Sequence, residues 1–161
     1  MNTHIYPSPY VALYLAVDAQ GRLARLGFVT EKHPLERHVR PEDRPDGAAC
    51  GKVIQQLDAY FERRLTQFEL ELAPEGTPFQ REVWDALLDI PYGETRNYGQ
   101  IAKQVGRPNA SRAVGAANGA NPIAIVVPCH RVIGANGSLT GFGGGVHVKA
   151  RLLELEQGSL F

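Results

Sequence analysis

Apolar positions along the first thirty residues fall into two runs, Val11 to Val17 and Leu23 to Thr30, with Asp18-Ala19-Gln20-Gly21 between them. Short apolar runs on either side of a polar, glycine-containing break are the pattern of a hairpin, so these segments are expected to pair as antiparallel strands. The stretch from Glu31 to Gly47 is rich in Pro, Asp and Arg and carries no apolar period, which predicts a surface loop with at most a short helix. Ala49, Val53, Leu57, Tyr60 and Phe61 then recur at three- and four-residue spacing, predicting a helix over Ala48 to Arg64 with one apolar stripe for the hairpin. Phe68, Leu70 and Leu72 alternate with Gln67, Glu69 and Glu71, the period of a half-buried strand.

Ala73-Pro74-Glu75-Gly76 interrupts this pattern, and a domain boundary is placed here, dividing the chain into residues 1–76 and 77–161. Thr77-Pro78-Phe79-Gln80 has the composition of a helix start: a Thr cap, Pro at the first helical position and Gln closing a capping box. Val83, Trp84, Leu87 and Leu88 form the buried stripe of that helix, which makes Trp84 a core residue, and Ile90-Pro91-Tyr92-Gly93 ends it. Two short helices are expected next, Tyr98 to Val105 and Ala110 or Ser111 to about Gly119, joined by Gly106-Arg107-Pro108-Asn109 in the manner of a helix-turn-helix. The second is built almost wholly of small residues, with Arg112 as its one long side chain. One face of such a helix can approach a groove closely, or a neighbouring helix equally well.

Composition narrows the classes. With 161 residues, 43% hydrophobic and 21% charged, the chain can bury a core of ordinary size. Met1 to Tyr10 lacks the basic and apolar regions of a secretion signal, and the aliphatic run Ile123 to Val127 is far too short to span a bilayer, so a cytoplasmic location is expected. Cys50 and Cys129 are too few for a disulfide framework. The formal net charge is zero, which argues against nucleic acid until its distribution is considered. From Thr95 to Leu153 there are Arg96, Lys103, Arg107, Arg112, Arg131, Lys149 and Arg151 and no acid at all, while Glu42, Asp43, Asp46, Glu62, Glu69, Glu71 and Glu75 lie in the first half.

The densest chemistry is Ile125-Val126-Val127-Pro128-Cys129-His130-Arg131-Val132, where an apolar approach delivers a thiol against an imidazole and a guanidinium. A cysteine reacts as its thiolate, and an adjacent base raises the reactive fraction at neutral pH. Neighbours in a strand point to opposite faces, so Cys129 and His130 can cooperate only if the backbone bends here.

Pro128-Cys129-His130-Arg131-Val132, with Arg112-Ala113-Val114-Gly115 and Asn121-Pro122 at their spacing before it, resembles the O6-alkylguanine-DNA alkyltransferases, or methylated-DNA-protein-cysteine methyltransferases. The likeness runs from about Thr77 to Glu156; the first lobe matches only in general layout. It implies an α/β fold in two lobes, a small N-terminal antiparallel sheet plus helix (RNase H-like) and a mainly helical C-terminal domain carrying the helix-turn-helix and the chemistry. It also implies a single-turnover repair reaction that moves the alkyl group of O6-alkylguanine, and also of O4-alkylthymine, irreversibly to Cys129, with no cofactor. In that reading His130 draws the thiol proton through a water, Glu156 orients His130, Tyr98 donates a hydrogen bond to the departing base, and Asn121 braces the turn that joins recognition to chemistry. The family binds double-stranded DNA from the minor groove with the damaged base flipped out. Arg112 fills the vacated stack, and Ser111, Ala113, Gly115, Ala116, Ala117 and Arg131 complete the DNA-facing set. Tyr98, Val132, Phe142, Gly143 and Gly144 would line the base pocket.

One departure stands out: some members carry Tyr and Ser where this chain has Phe142 and Gly143, so a hydroxyl beside the guanine oxygen is absent. No structural zinc is expected, since the first lobe offers only Cys50, His4, His33 and His38, and Cys50 is read as an inert core thiol. No membrane partner is expected, and the protein is read as a monomer, with cooperative binding on DNA left open. Two other readings remain: a damage sensor or helix-turn-helix regulator that leaves Cys129 unmodified, and a thiol hydrolase that turns over repeatedly.

Overall fold

The computed structural model describes residues 1–139, 142 and 144–158, and the chain divides into two compact units, Met1–Glu75 and Gly76–Phe161. In the first unit β1 (Asn2–Pro7), β2 (Ala12–Val17) and β3 (Leu23–Phe28) are followed by α1 (Leu35–His38), β4 (Arg44–Pro45) and α2 (Gly51–Phe61). The sheet order is β3-β2-β1-β4, with β1 and β3 antiparallel to β2 and β4 parallel to β1. The expected hairpin is β2 and β3. Its turn is closed by Asp18, whose carboxylate accepts from the backbone of Gln20 and Arg22, and by Gly21 at φ 81°, where a Cβ would be strained.

Two features differ from the sequence reading. β1 was not anticipated, because only Thr3 and Tyr6 of its six residues are buried and the strand shows almost no apolar alternation. The segment Gln67 to Leu72 is not a strand but touches β3 at a single bridge, Leu72 to Leu23. The side chain of Gln56 supplies the missing edge, donating to Glu69 O at 3.0 Å and accepting from Glu69 N at 2.9 Å. The Pro- and Asp-rich loop is pinned from within. Asp43 accepts from Arg25 Nη2 (2.7 Å), the Tyr14 hydroxyl (2.9 Å) and Arg40 N (3.0 Å). Burial would raise the Asp43 carboxyl, but Arg25 and these donors hold it at about 2.

In the second unit α3 (Pro78–Leu88), β5 (Arg96–Asn97), α4 (Tyr98–Gln104) and α5 (Ser111–Gly119) lead to a 3₁₀ turn (Cys129–Arg131), β6 (Val132–Ile133) and α6 (Val146–Gln157). The capping box of α3 is formed in full, Thr77 Oγ1 accepting from Gln80 N and the Gln80 side chain from Thr77 N. Trp84 is buried and donates from Nε1 to Ala117 O at 2.8 Å, which fixes α5 on α3. The turn between α4 and α5 contains Gly106 at φ 77°. β5 and β6 pair in parallel, Arg96 with Val132 and Asn97 with Ile133. This pairing, two residues long and invisible in the pattern, sets the start of α4 beside the chain that leaves the 3₁₀ turn. Among the described residues no helix is long and apolar enough to cross a membrane.

A Cβ built on Gly76 would come within 2.3 Å of the Trp84 ring. Gly76→Ala therefore has to displace a core indole, and is expected to cost about 1–3 kcal/mol in urea-unfolding measurements, with a lowered thermal midpoint.

Candidate active site

The apolar segment before the cysteine is not a strand. Val127 N donates to Ile123 O at 3.0 Å and Val126 N to Ala124 O at 2.8 Å, folding the segment into consecutive buried turns. Ile125 adopts φ 69°, a left-handed conformation that a β-branched residue holds only under constraint from its surroundings. Asn121 supplies part of that constraint, donating from Nδ2 to Val127 O at 2.8 Å and accepting at Oδ1 from Ile123 N at 3.0 Å. The bend that cooperation between Cys129 and His130 requires is the 3₁₀ turn itself, since successive residues there do not alternate between faces.

His130 is wholly buried and its Nε2 lies 2.7 Å from Glu156 Oε2. Glu156 is bound from a second side as well. Arg131 Nε donates to Oε1 at 2.7 Å, Arg131 Nη2 to Oε2 at 3.1 Å, and Arg131 Nη1 to Ile90 O at 2.7 Å. Burial alone would raise the Glu156 carboxyl, but the hydrogen bonds and charge of His130 and Arg131 hold it at about 2, so it is ionised at neutral pH. An ionised Glu156 accepts only, so Nε2 of His130 carries the proton and Nδ1 is left as the basic nitrogen. Burial lowers the His130 imidazole below its ordinary value despite Glu156. It is neutral near pH 7, the state in which it can take a proton.

Cys129 is also buried. Burial pushes its thiol up, opposed by a hydrogen bond from Asn121 and by the charge of Lys149, so the resting group is the thiol. Lys149 is fully buried, donates from Nζ to Val132 O at 2.5 Å and stands 5.8 Å from the centroid of Phe142. Burial lowers its pKa, and the neighbouring Cys129 partly restores it.

The remaining sequence-predicted residues fall on several surfaces. On α5, Ser111, Arg112, Ala113 and Ala116 are exposed and Gly115 is half-buried, so one face of small residues with a single arginine is open to a partner. Tyr98, the first residue of α4, is half-buried, and a Cβ on Gly115 would meet its ring at 3.8 Å. Phe142 and Gly144 are half-buried, while Gly143 lies outside the described residues, as does Gly141.

Two assignments need correction, and a third residue is enclosed. Arg131 is not presented to DNA, because its guanidinium is spent inside the protein on Glu156 and Ile90 O, with the Tyr92 ring 5.7 Å away. Ala117 faces inward and holds Trp84 by its carbonyl. Val132 is fully buried and its carbonyl accepts from Lys149 Nζ. Sequence reasoning missed Lys149 and Asn118, both buried polar residues at the site. Lys149 was counted as one cation among seven; the signal that could have found it was its place among Val148, Leu152 and Leu153 on the inner face of the last helix.

A buried thiol followed in the chain by a buried imidazole bound to an ionised carboxylate, in a unit that also carries a helix-turn-helix with an open face of small residues, fits a DNA-binding protein with a reactive cysteine. The comparisons specify it further. Residues 1–74 match the family model for the 6-O-methylguanine DNA methyltransferase ribonuclease-like domain, and residues 78–158 match that for its DNA binding domain. The chain is 51% identical over 152 residues to a methylated-DNA–protein-cysteine methyltransferase of Methanosarcina acetivorans, covering 94% of this chain and 96% of that protein. It is 63% identical over 113 residues to the Mycobacterium bovis protein of the same name, covering 70% and 68%. The crystal structure of Mycobacterium tuberculosis OGT in complex with DNA superposes with a TM-score of 0.87 at 52% identity, covering 98% of this chain and 93% of that one. The chain belongs to the 6-O-methylguanine DNA methyltransferase family.

The depressed pKa values of His130 and Glu156 give stability a pH dependence of fixed sign. A group whose folded pKa lies below its unfolded value contributes stability above the unfolded value and loses it as pH falls through the folded one. His130 therefore costs stability as pH drops below its ordinary 6.5, and Glu156 as pH drops from 4.5 towards about 2. Unfolding free energy is expected to fall continuously from neutral pH to about pH 3. In Glu156→Gln, urea titrations should show the lower part of that fall reduced, the share of Asp43, also held at about 2, remaining.

Proposed function

We propose that this protein repairs alkylated DNA directly, moving the alkyl group from O6 of guanine, and from O4 of thymine as a second substrate, onto Sγ of its own Cys129. The observation that carries this reading is the placement of a protonated, buried Cys129 next to a neutral His130 whose far nitrogen is held by ionised Glu156. The thiol proton passes to His130 Nδ1 by way of a water. Sulfur forms a bond to the alkyl carbon, the carbon–O6 bond breaks, and guanine keeps the electron pair. Imidazolium formed on His130 is stabilised by Glu156, as the carboxylate does in a hydrolase triad. Tyr98 donates to the departing base, whose developing negative charge would otherwise make it a poor leaving group.

The product is a thioether with no easy leaving step, so each molecule reacts once, and the acceptor being the chain's own thiol, the reaction draws on no cofactor. A damage sensor that leaves its site unmodified is not favoured, because the nucleophile and its base are both in place. Access to the base requires that it leave the duplex. Arg112 would enter the stack from the exposed face of α5, with Ser111, Ala113, Gly115 and Ala116 letting the helix approach the minor-groove floor. The protein acts as a monomer in the cytoplasm, where a free thiol stays reduced.

Intact-mass measurement after mixing with a duplex containing one O6-methylguanine tests the reaction. One methyl per molecule, mapped to Cys129 and absent from Cys129→Ser, is expected; an unchanged mass with reduced, folded protein would leave a DNA-binding module as the better account. Arg112→Ala is expected to slow transfer from duplex DNA on the order of tenfold to a hundredfold while leaving the slow reaction with free O6-methylguanine base unaltered, since only the former pays for unstacking. Equal losses on both substrates would assign Arg112 to the fold instead.

A further inference from the structure

We propose that Asn118 is a positioning residue for the proton relay: its amide oxygen and His130 Nδ1 hold between them the one water through which the Cys129 proton leaves. The inference rests on the alkyl-transfer reading above and adds to it a residue from the DNA-facing helix.

Asn118 lies on the inner side of the last turn of α5, 3% exposed, in a run of small residues where an apolar side chain would fill the space without any polar requirement. Its Nδ2 faces the Cys129 carbonyl at 3.4 Å, which settles the direction of the amide, because the reverse orientation would set two oxygens against each other. Oδ1 is then a buried acceptor that receives no hydrogen bond from a protein group among the described residues. His130 Nδ1 is in the same condition. Glu156 accepts the hydrogen bond of His130 Nε2–H, so Nδ1 too is an acceptor. Two unsatisfied buried acceptors thus belong to side chains at the Cys129–His130 peptide, where the thiol S–H lies beside Asn121 and Lys149.

A buried water makes about three hydrogen bonds. Here it would donate one O–H to His130 Nδ1 and the other to Asn118 Oδ1, which turns a lone pair towards the thiol. Held by His130 alone, the water could rotate and would spend part of its time misdirected. During transfer the S–H proton goes to the water oxygen, the water's proton on the His130 side goes to Nδ1, and the water is regenerated, still bound by Asn118, as sulfur bonds to carbon and the carbon–O6 bond breaks. The charged groups facing this imidazole and thiol are Glu156, Arg131 and Lys149, none of which an Asn118 substitution replaces. Since Asn118 belongs to the helix that presents Arg112, seating of that helix on DNA and orientation of the relay are set by one rigid element.

The test is the single-turnover rate of methyl transfer by Asn118→Leu at saturating duplex DNA, from about pH 6 to about pH 10. The expected result is a rate on the order of tenfold lower at neutral pH, with DNA affinity unchanged and the deficit closing at high pH, where solvent hydroxide ionises the thiol without the relay. A rate equal to that of the wild type, or a deficit that is the same at every pH, would overturn the proposal in favour of a purely structural asparagine. A high-resolution crystal structure of the unalkylated wild-type protein gives a check independent of any variant. Density for a water in hydrogen-bond contact with both Asn118 Oδ1 and His130 Nδ1 is expected, and its absence there would also overturn the proposal. A wild-type protein that transfers no methyl would fail the functional reading itself, an outcome distinct from a transferring wild type matched by its variant.

Discussion

The buried carboxylate of Glu156 is the constraint on which the catalytic unit depends. A charge without solvent must be matched on several sides, and Glu156 receives hydrogen bonds from Nε2 of His130 and from two nitrogens of Arg131. Through Arg131 the same carboxylate reaches the carbonyl of Ile90 just beyond α3, so one group ties together α6, the 3₁₀ turn and the end of α3. Geometry of the reacting pair follows from this. With Nε2 bound to Glu156, Nδ1 is left as the buried basic nitrogen of the imidazole, and burial keeps the ring neutral.

The acceptor is held at the end of a strained approach. Ile125 in a left-handed conformation, the clamp of Asn121 on either side of the turn and the 3₁₀ geometry at Cys129 together fix the backbone that carries Cys129 and His130. Helix α5 is tied to α3 by the Ala117 carbonyl through Trp84 and to this turn by Asn118 at the Cys129 carbonyl. The exposed small-residue face of α5 and the Cys129 turn are therefore joined directly within one unit. The cationic character inferred for this half belongs to its exposed residues only, since Arg131 and Lys149 are internal.

The first unit has its own organising charge in Asp43, which gathers Arg25, Tyr14 and the backbone of Arg40 and thereby fixes a loop whose composition gives no hint of order. Cys50 at the start of α2 is fully buried, and burial, with Asp46 nearby, pushes its thiol up to about 11, so it remains protonated and unreactive at neutral pH.

The sequence by itself determined the elements whose cause is local. Thr77-Pro78-Phe79-Gln80 starts α3 because the capping groups sit within three residues of one another, Asp18 and Gly21 close the hairpin for the same reason, and the stripe Val53, Leu57, Tyr60 gives α2. The order Pro128-Cys129-His130 named the chemistry, and resemblance supplied Glu156 as its third member. Tertiary structure alone decided what depends on distant partners. Alternation from Gln67 to Leu72 promised a strand, but β3 offered only one bridge and Gln56 took the rest; β1 and the β5–β6 pair formed where no pattern announced them, because their partners were already in register. The fate of each charge was decided in the same way. Arg112 and Arg131 are equivalent as letters, yet one is exposed on α5 and the other is enclosed against Glu156, since burial of an ion is set by whether a counter-ion folds against it and not by the residues beside it in the chain.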